Sequence, residues 1–165
     1  GYFGQEFDYH KVRARRKELM SAYIEENGIE TKKGIRELLV FLKEQGLKTA
    51  VATATDLERT EKYLKSVDLL KYFDKIICAS MVKNGKPEPD IYLKAAEELE
   101  LPPENCIALE DSPNGILAAF RAGCMPVMVP DLDEPSQETK NILFGLEEDL
   151  LKVIDFIKKM EEKEK

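Results

Sequence analysis

The sequence predicts an α/β fold, a doubly wound, Rossmann-like parallel sheet, and three observations carry that prediction. From Leu47 onward, short β-type runs alternate with helical patterns, the mark of successive strand–helix–strand units. The stretch IALEDSPNG (107–115) runs from three apolar residues into an acidic tip and then a helix start, as strand, loop and helix do in such units. With 165 residues, 43% hydrophobic and 35% charged, the chain can bury a real core and has the balance of a soluble globular protein.

Taken in order, residues 1–7 (GYFGQEF) form no complete element. Asp8 is a candidate cap for a helix from Tyr9 to about Glu26, where Val12, Leu19, Met20, Tyr23 and Ile24 make a broken apolar stripe, and Asn27 and Gly28 stop it. After the linker Ile29–Lys33, Gly34 opens a second helix with Ile35, Leu38, Leu39 and Leu42 on one face, ended by Gly46. KTAVA (48–52) is the first clear strand, followed by a helix over about 57–67. FDKIICA (73–79) is the second, and a loop leads to a helix over about 91–99. Residues 104–109 are the third, with a helix over 114–122 closed by Gly123. Pro126 to Val129 is the fourth. Residues 130–141 (PDLDEPSQETKN) read as an acidic loop, and Leu150, Leu151, Val153, Ile154 and Ile157 mark a final amphipathic helix that ends in the charged run EEKEK.

Several function classes are disfavoured. A net charge of −7 argues against a nucleic-acid surface, since phosphates are met by clustered Lys and Arg; the one basic run, Lys11–Lys17, reads as a solvated helix face. No apolar run approaches the ~18 residues of a membrane span, and no signal-peptide core is visible, so a cytoplasmic protein is expected. Cys78, Cys106 and Cys124 do not pair evenly and lack metal spacing, which suggests reduced, buried thiols. His10 has no Ser or Cys partner in sequence reach.

Three strand ends carry residues suited to phosphate chemistry. Thr53 follows the first strand, where its hydroxyl and the next backbone N–H groups could hold phosphate oxygens, or where it could simply cap a helix. Lys86, between Gly85 and Pro87, could aim a point charge inward or stand as an exposed loop lysine. Glu110 and Asp111 are two adjacent carboxylates that suit a hard cation such as Mg²⁺, the alternative being that Asp111 or Asn114 caps the next helix. Hydroxyl, lysine and acidic pair on successive strand ends of one sheet form a far more specific pattern than any one of them.

The segments VATAT (51–55), VKNGKPEPDIYLKAA (82–96) and ALEDSPNGILAAFRAG (108–123), with their spacing, resemble the haloacid dehalogenase superfamily, in particular its β-phosphoglucomutase-like phosphatase branch. That resemblance implies that Thr53 and the backbone of Ala54 bind the transferring phosphate, that Lys86 stabilises charge on nucleophile and phosphate, and that Asp111 with Glu110 ligates Mg²⁺. Ser112 and Asn114 would shape the loop, and Gly115 would let the helix approach closely. Residues 1–33 would be the last part of a helical cap domain and 34–165 the α/β core.

The resembled family places a nucleophilic Asp-x-Asp motif after its first, central strand. Here Asp8 follows no strand, and Asp131 and Asp133 follow the fourth. The expectation is therefore a fragment, inactive alone, of a Mg²⁺-dependent phosphohydrolase that works on a small phosphorylated metabolite through an aspartyl-phosphate. A β-phosphoglucomutase-type mutase is the alternative, and a non-catalytic Mg²⁺- or phosphate-binding regulator the alternative of another class. The central strand would belong between those before Thr53 and Glu110, where an upstream segment or a second copy fills the slot, or the two edges close on each other.

Overall fold

The computed structural model describes residues 9–131 and 134–163. Residues 1–7, the Asp8 cap, Asp133 and the last two residues of the charged tail lie outside them. The chain divides into two compact units, Gly1–Glu30 and Thr31–Lys165. The first contains helix α1, Tyr9–Asn27, with Leu19, Met20 and Tyr23 all exposed. It ends at Gly28, whose φ of +76° and N–H to the Ile24 carbonyl (2.8 Å) form a left-handed stop.

The second unit holds α2 (Ile35–Glu44), β1 (Ala50–Thr53), α3 (Leu57–Ser66), β2 (Lys75–Cys78), α4 (Asp90–Leu99) and β3 (Ile107–Glu110). It continues with α5 (Pro113–Arg121), β4 (Met125–Met128), α6 (Gln137–Lys140), β5 (Gly145–Leu146) and α7 (Leu150–Lys163). Every strand pair is parallel. Ala50–Thr53 runs in register with Lys75–Cys78, Ile107–Glu110 with Met125–Met128, and Val127–Met128 with Gly145–Leu146.

The strands form two sheets, β1-β2 and β3-β4-β5, rather than one continuous layer. Of the two outcomes expected for the slot, edge-to-edge closure does not occur among the described residues, because β1 pairs with β2 and β3 with β4. Helices cover both faces. One core joins Ala108 of β3 and Ile77 of β2 to Ile91, Tyr92 and Ala95 of α4 and to Ala118 and Ala119 of α5. The other joins Val127 and Val129 to Leu38 of α2 and to Val153 and Ile157 of α7. β3 alternates between them: Ala108 faces the first core, while Ile107 and Leu109 pack against the second.

Element ends differ from the sequence expectation in places. β1 begins at Ala50 rather than Lys48, because Thr49 is already engaged, its N–H by Asp74 Oδ2 (2.7 Å) and its hydroxyl by the Tyr72 carbonyl (2.6 Å). β3 begins at Ile107 rather than Glu104, since Pro103–Asn105 closes a 3₁₀ turn first. Residues 130–141, read as loop, contain α6, which Ser136 caps by accepting from the Thr139 N–H at 3.2 Å. The two-residue β5 had no pattern to reveal it. The cysteines are free, with Cys78 and Cys124 buried as expected and Cys106 only partly buried.

Two contacts fix the entry to this unit. Lys32 donates to the Val129 carbonyl (3.3 Å) and pairs with Asp131 (3.3 Å). Lys33 pairs with Asp149 at 2.6 Å, and Asp149 also accepts the N–H groups of Leu151 and Lys152 at the start of α7, both at 3.0 Å. Gly34 has φ +86°, and a Cβ there would lie 2.8 Å from both Leu151 Cγ and Leu151 N. Gly34→Ala should therefore destabilise the chain by about 3 kcal/mol, combining left-handed strain with overpacking against backbone, as read from urea unfolding. The hydrogen bond from Lys33, followed by the Lys152 N–H, holds the Asp149 carboxyl below its ordinary 3.8. A lowered folded-state pKa gives stability that is complete above the ordinary value and lost as pH falls through the lowered one. Asp149→Asn should accordingly lose less urea resistance than the parent chain between about pH 5 and pH 3.

Candidate active site

The carboxyl ends of β1 and β3 lie at the same side of the unit and meet at one lysine. Lys86, in the loop before α4, is partly buried and pairs with Glu110 Oε1, while its Nζ lies 3.5 Å from the Ala52 carbonyl of β1. One ammonium thus touches both sheets. The alternative of a solvated loop lysine is not what this fold builds.

The loop that carries Lys86 is held at several points. Asp90 Oδ2 accepts from the Asn84 N–H (3.0 Å) and from its side-chain amide (3.1 Å), and the Glu88 N–H reaches the Gly85 carbonyl at 3.0 Å. Arg121, in α5, donates to the Pro87 carbonyl (3.1 Å) and pairs with Glu88 (3.0 Å). The Lys86–Pro87 peptide is cis.

Glu110 is the best-enclosed carboxylate of the cluster, its side chain 9% exposed. Its alternation with Ala108 points it toward the core between α4 and α5. There Oε1 accepts from Lys86 and from the Tyr92 hydroxyl, and Oε2 accepts from Ser112 at 3.2 Å. Ser112 also caps α5 by accepting the Gly115 N–H at 3.2 Å. The cap is thus Ser112, neither Asp111 nor Asn114. A Cβ on Gly115 would overlap the Glu110 carboxyl group, so the bare glycine is the floor on which the carboxylate lies. Asp111, next along the chain, is exposed and makes no hydrogen bond or ion pair with the described residues.

At the end of β1, Thr53 does not cap α3. Asp56 does, accepting the Arg59 N–H at 3.1 Å. The Thr53 hydroxyl oxygen instead accepts the Thr55 N–H at 3.1 Å, which leaves its own proton free to donate, and Ala54 beside it is exposed. Asp131 is turned to Lys32 and takes no part in the cluster.

Tyr92 was not among the residues that sequence reasoning selected. It is 8% exposed, its hydroxyl is on Glu110, and its ring centroid is 5.0 Å from Lys86 Nζ. The available signal was weak: a tyrosine on the same helical stripe as Ala95, Ala96 and Leu99, which needs a partner for its hydroxyl once buried. Burial first, and then the Glu110 charge, push the phenol well above its ordinary 10.0, so it keeps the proton that it donates to Glu110.

Among the described residues no group of three or more His, Cys, Asp or Glu side chains gathers to hold a metal. What the cluster offers a cation is a pair: Asp111, with no hydrogen-bond or ion-pair partner among the described residues, and Glu110 Oε2, with one hydroxyl on it. Two neighbouring carboxylates with open lone pairs fit part of the oxygen shell of a hard cation.

The profile of the haloacid dehalogenase-like hydrolases matches residues 3–123. Phosphorylated carbohydrates phosphatase of Thermotoga maritima is 40% identical over 113 residues, which are 68% of this chain and 50% of that protein. Hexitol phosphatase B of Escherichia coli is 40% identical over 97 residues, 59% of this chain and 44% of that protein. A solved structure from Thermotoga maritima, described as a candidate β-phosphoglucomutase, superposes with a TM-score of 0.78 at 31% identity, covering 92% of this chain and 72% of that one. The chain spans about half the length of the curated relatives it matches.

Gly115 gives the sharpest test of this geometry. Gly115→Ala should drive the Glu110 carboxylate off the start of α5, part it from Lys86 or Ser112, and destabilise the chain by about 1–3 kcal/mol. A fall of several degrees in melting temperature, with a displaced Glu110 in a crystal structure of the variant, would establish it.

Proposed function

This chain belongs to the haloacid dehalogenase-like hydrolases, and we propose that the protein it forms part of is a Mg²⁺-dependent phosphatase of small phosphorylated metabolites. The observation that carries the reading is the convergence of Lys86 on Glu110 and the Ala52 carbonyl, at the strand ends that also bear Thr53 and Asp111. The resemblance to two phosphatases of phosphorylated carbohydrates and hexitols supports a sugar-phosphate or polyol-phosphate substrate. The likeness to a candidate β-phosphoglucomutase supports a second reading, a sugar-phosphate mutase.

In this reading the free hydroxyl proton of Thr53 and the backbone N–H of Ala54 hold phosphate oxygens. Lys86 has three N–H donors, one on Glu110 and one directed at Ala52, and the third is available to the phosphate and its attacking nucleophile. Glu110 and Asp111 would hold Mg²⁺, which when bound would neutralise charge on the phosphoryl group. The nucleophile is an aspartate on a segment outside this chain; its carboxylate displaces the substrate's alcohol, protonated by an acid of the same segment, to form an aspartyl-phosphate, from which water releases inorganic phosphate and the free carboxylate. The strand bearing it, from that segment or from a second copy, lies between β1 and β3, each of which has one edge without a strand partner among the described residues. Residues 1–33 belong to a helical cap that selects the substrate, residues 34–165 to the core, and the protein works in the cytoplasm, where its free thiols stay reduced.

The deciding experiment is hydrolysis of an aryl phosphate with and without Mg²⁺, by this chain and by the chain joined to its upstream segment. Turnover should require the segment and Mg²⁺. Lys86→Ala should lower kcat by about 10²–10³, the range for losing one preorganised donor to transition-state charge, and Asp111→Ala should abolish the Mg²⁺ response. Activity of this chain alone would overturn the placement of the nucleophile. Phosphate and Mg²⁺ binding without turnover in the longer protein would replace the enzyme by a regulator.

A further inference from the structure

The chemistry assigned above has no task for Tyr92, yet one side chain touches both halves of the charged pair. Its hydroxyl donates to Glu110 Oε1, and its ring lies beneath the Lys86 ammonium, with 5.0 Å from Nζ to the ring centroid. Packing alone does not demand this. A phenylalanine would fill the same core space next to Ile91, Ala95 and Ala118 without a buried hydroxyl that has to find an acceptor.

The consequence is a division of labour between the two Glu110 oxygens. Oε1 takes both Lys86 and Tyr92, and Oε2 takes Ser112 alone. The carboxylate cannot rotate without giving up a buried donor on one side or the other.

Resting on the phosphatase reading, we propose that Tyr92 is a positioning residue of the active site, its hydroxyl orienting Glu110 and its ring seating the Lys86 ammonium. It keeps Oε2 as the oxygen turned to a cation and keeps the third Lys86 donor turned to the phosphate.

Tyr92→Phe removes the hydroxyl and keeps the ring; Tyr92→Leu removes both. In this chain, trace acylation of Lys86 by acetic anhydride is measured by peptide mass spectrometry against the exposed Lys65. Lys86 should react at the parent rate in Tyr92→Phe and several-fold faster in Tyr92→Leu. In the protein joined to its upstream segment, Tyr92→Phe should lower kcat by about three- to tenfold, the net span of one intramolecular hydrogen bond. It should raise the Mg²⁺ concentration for half-maximal rate by a comparable factor while leaving KM for the aryl phosphate within about twofold. Parent-like kcat and Mg²⁺ response in Tyr92→Phe would overturn the proposal alone, and so would unchanged Lys86 acylation in a folded Tyr92→Leu. Should Tyr92→Leu not fold, the kinetics of Tyr92→Phe decide. Absence of turnover in the unmutated longer protein would instead overturn the phosphatase reading and this role with it.

Discussion

Burying a carboxylate costs several kcal/mol unless donors replace the lost water, and Glu110 draws its donors from three different elements. Lys86 comes from the loop before α4, Tyr92 from α4 itself, and Ser112 from the start of α5. Each donor is held in turn: the loop by Asp90 and Arg121, the tyrosine by the core, the serine by its capping bond to Gly115. The carboxylate therefore acts as a clasp. Taking away one partner of a buried pair leaves the other uncompensated, at a cost of about 3–5 kcal/mol, so loop, helix and strand end are fixed together rather than separately.

Much of this could be read in the chain itself. The order Thr53, Lys86, Glu110, Asp111 on successive strand ends was visible because parallel strands expose their carboxyl ends on one side, and the structure puts Lys86 on Glu110. The direction in which Glu110 points follows from period-two alternation with Ala108 once α4 and α5 are known to cover that face. Tyr92 was hidden for a plain reason: a buried aromatic on a helical stripe carries the same pattern whether or not its hydroxyl serves a site. The start of β1 was hidden by a side chain from afar, since the Asp74 carboxylate that claims the Thr49 N–H lies 25 positions away, whereas that of β3 was set by the local 3₁₀ turn Pro103–Asn105. Pairing between strands is nonlocal in the same sense, so the split into β1-β2 and β3-β4-β5 was not written in any one segment.

That split bears on how the site is held. A parallel strand needs neighbours for its N–H and C=O groups, and β1 and β3 each have one strand neighbour among the described residues. Where the two sheets approach at their carboxyl ends, the link between them is a side chain, the Lys86 ammonium reaching the Ala52 carbonyl. At 3.5 Å this contact is long, the weaker of the two polar contacts that hold Lys86. A strand entering between β1 and β3 would supply the main-chain partners that the lysine now only approximates.

The character of the lysine follows from the same accounting. A surface ammonium would be mobile and poorly aimed, whereas one fixed by a full set of strong acceptors would have nothing left to offer a ligand. Lys86 is between these limits: its stem is held by a tied-down loop, its head rests over an aromatic ring, one donor is firmly bonded, and another has a distant acceptor. A doubly charged phosphate arriving at the strand ends would meet a positive charge already placed, with a donor to spare and no loop to reorganise. Electrostatic stabilisation in active sites depends on that combination, because dipoles and charges fixed during folding need not be rearranged when the reaction occurs.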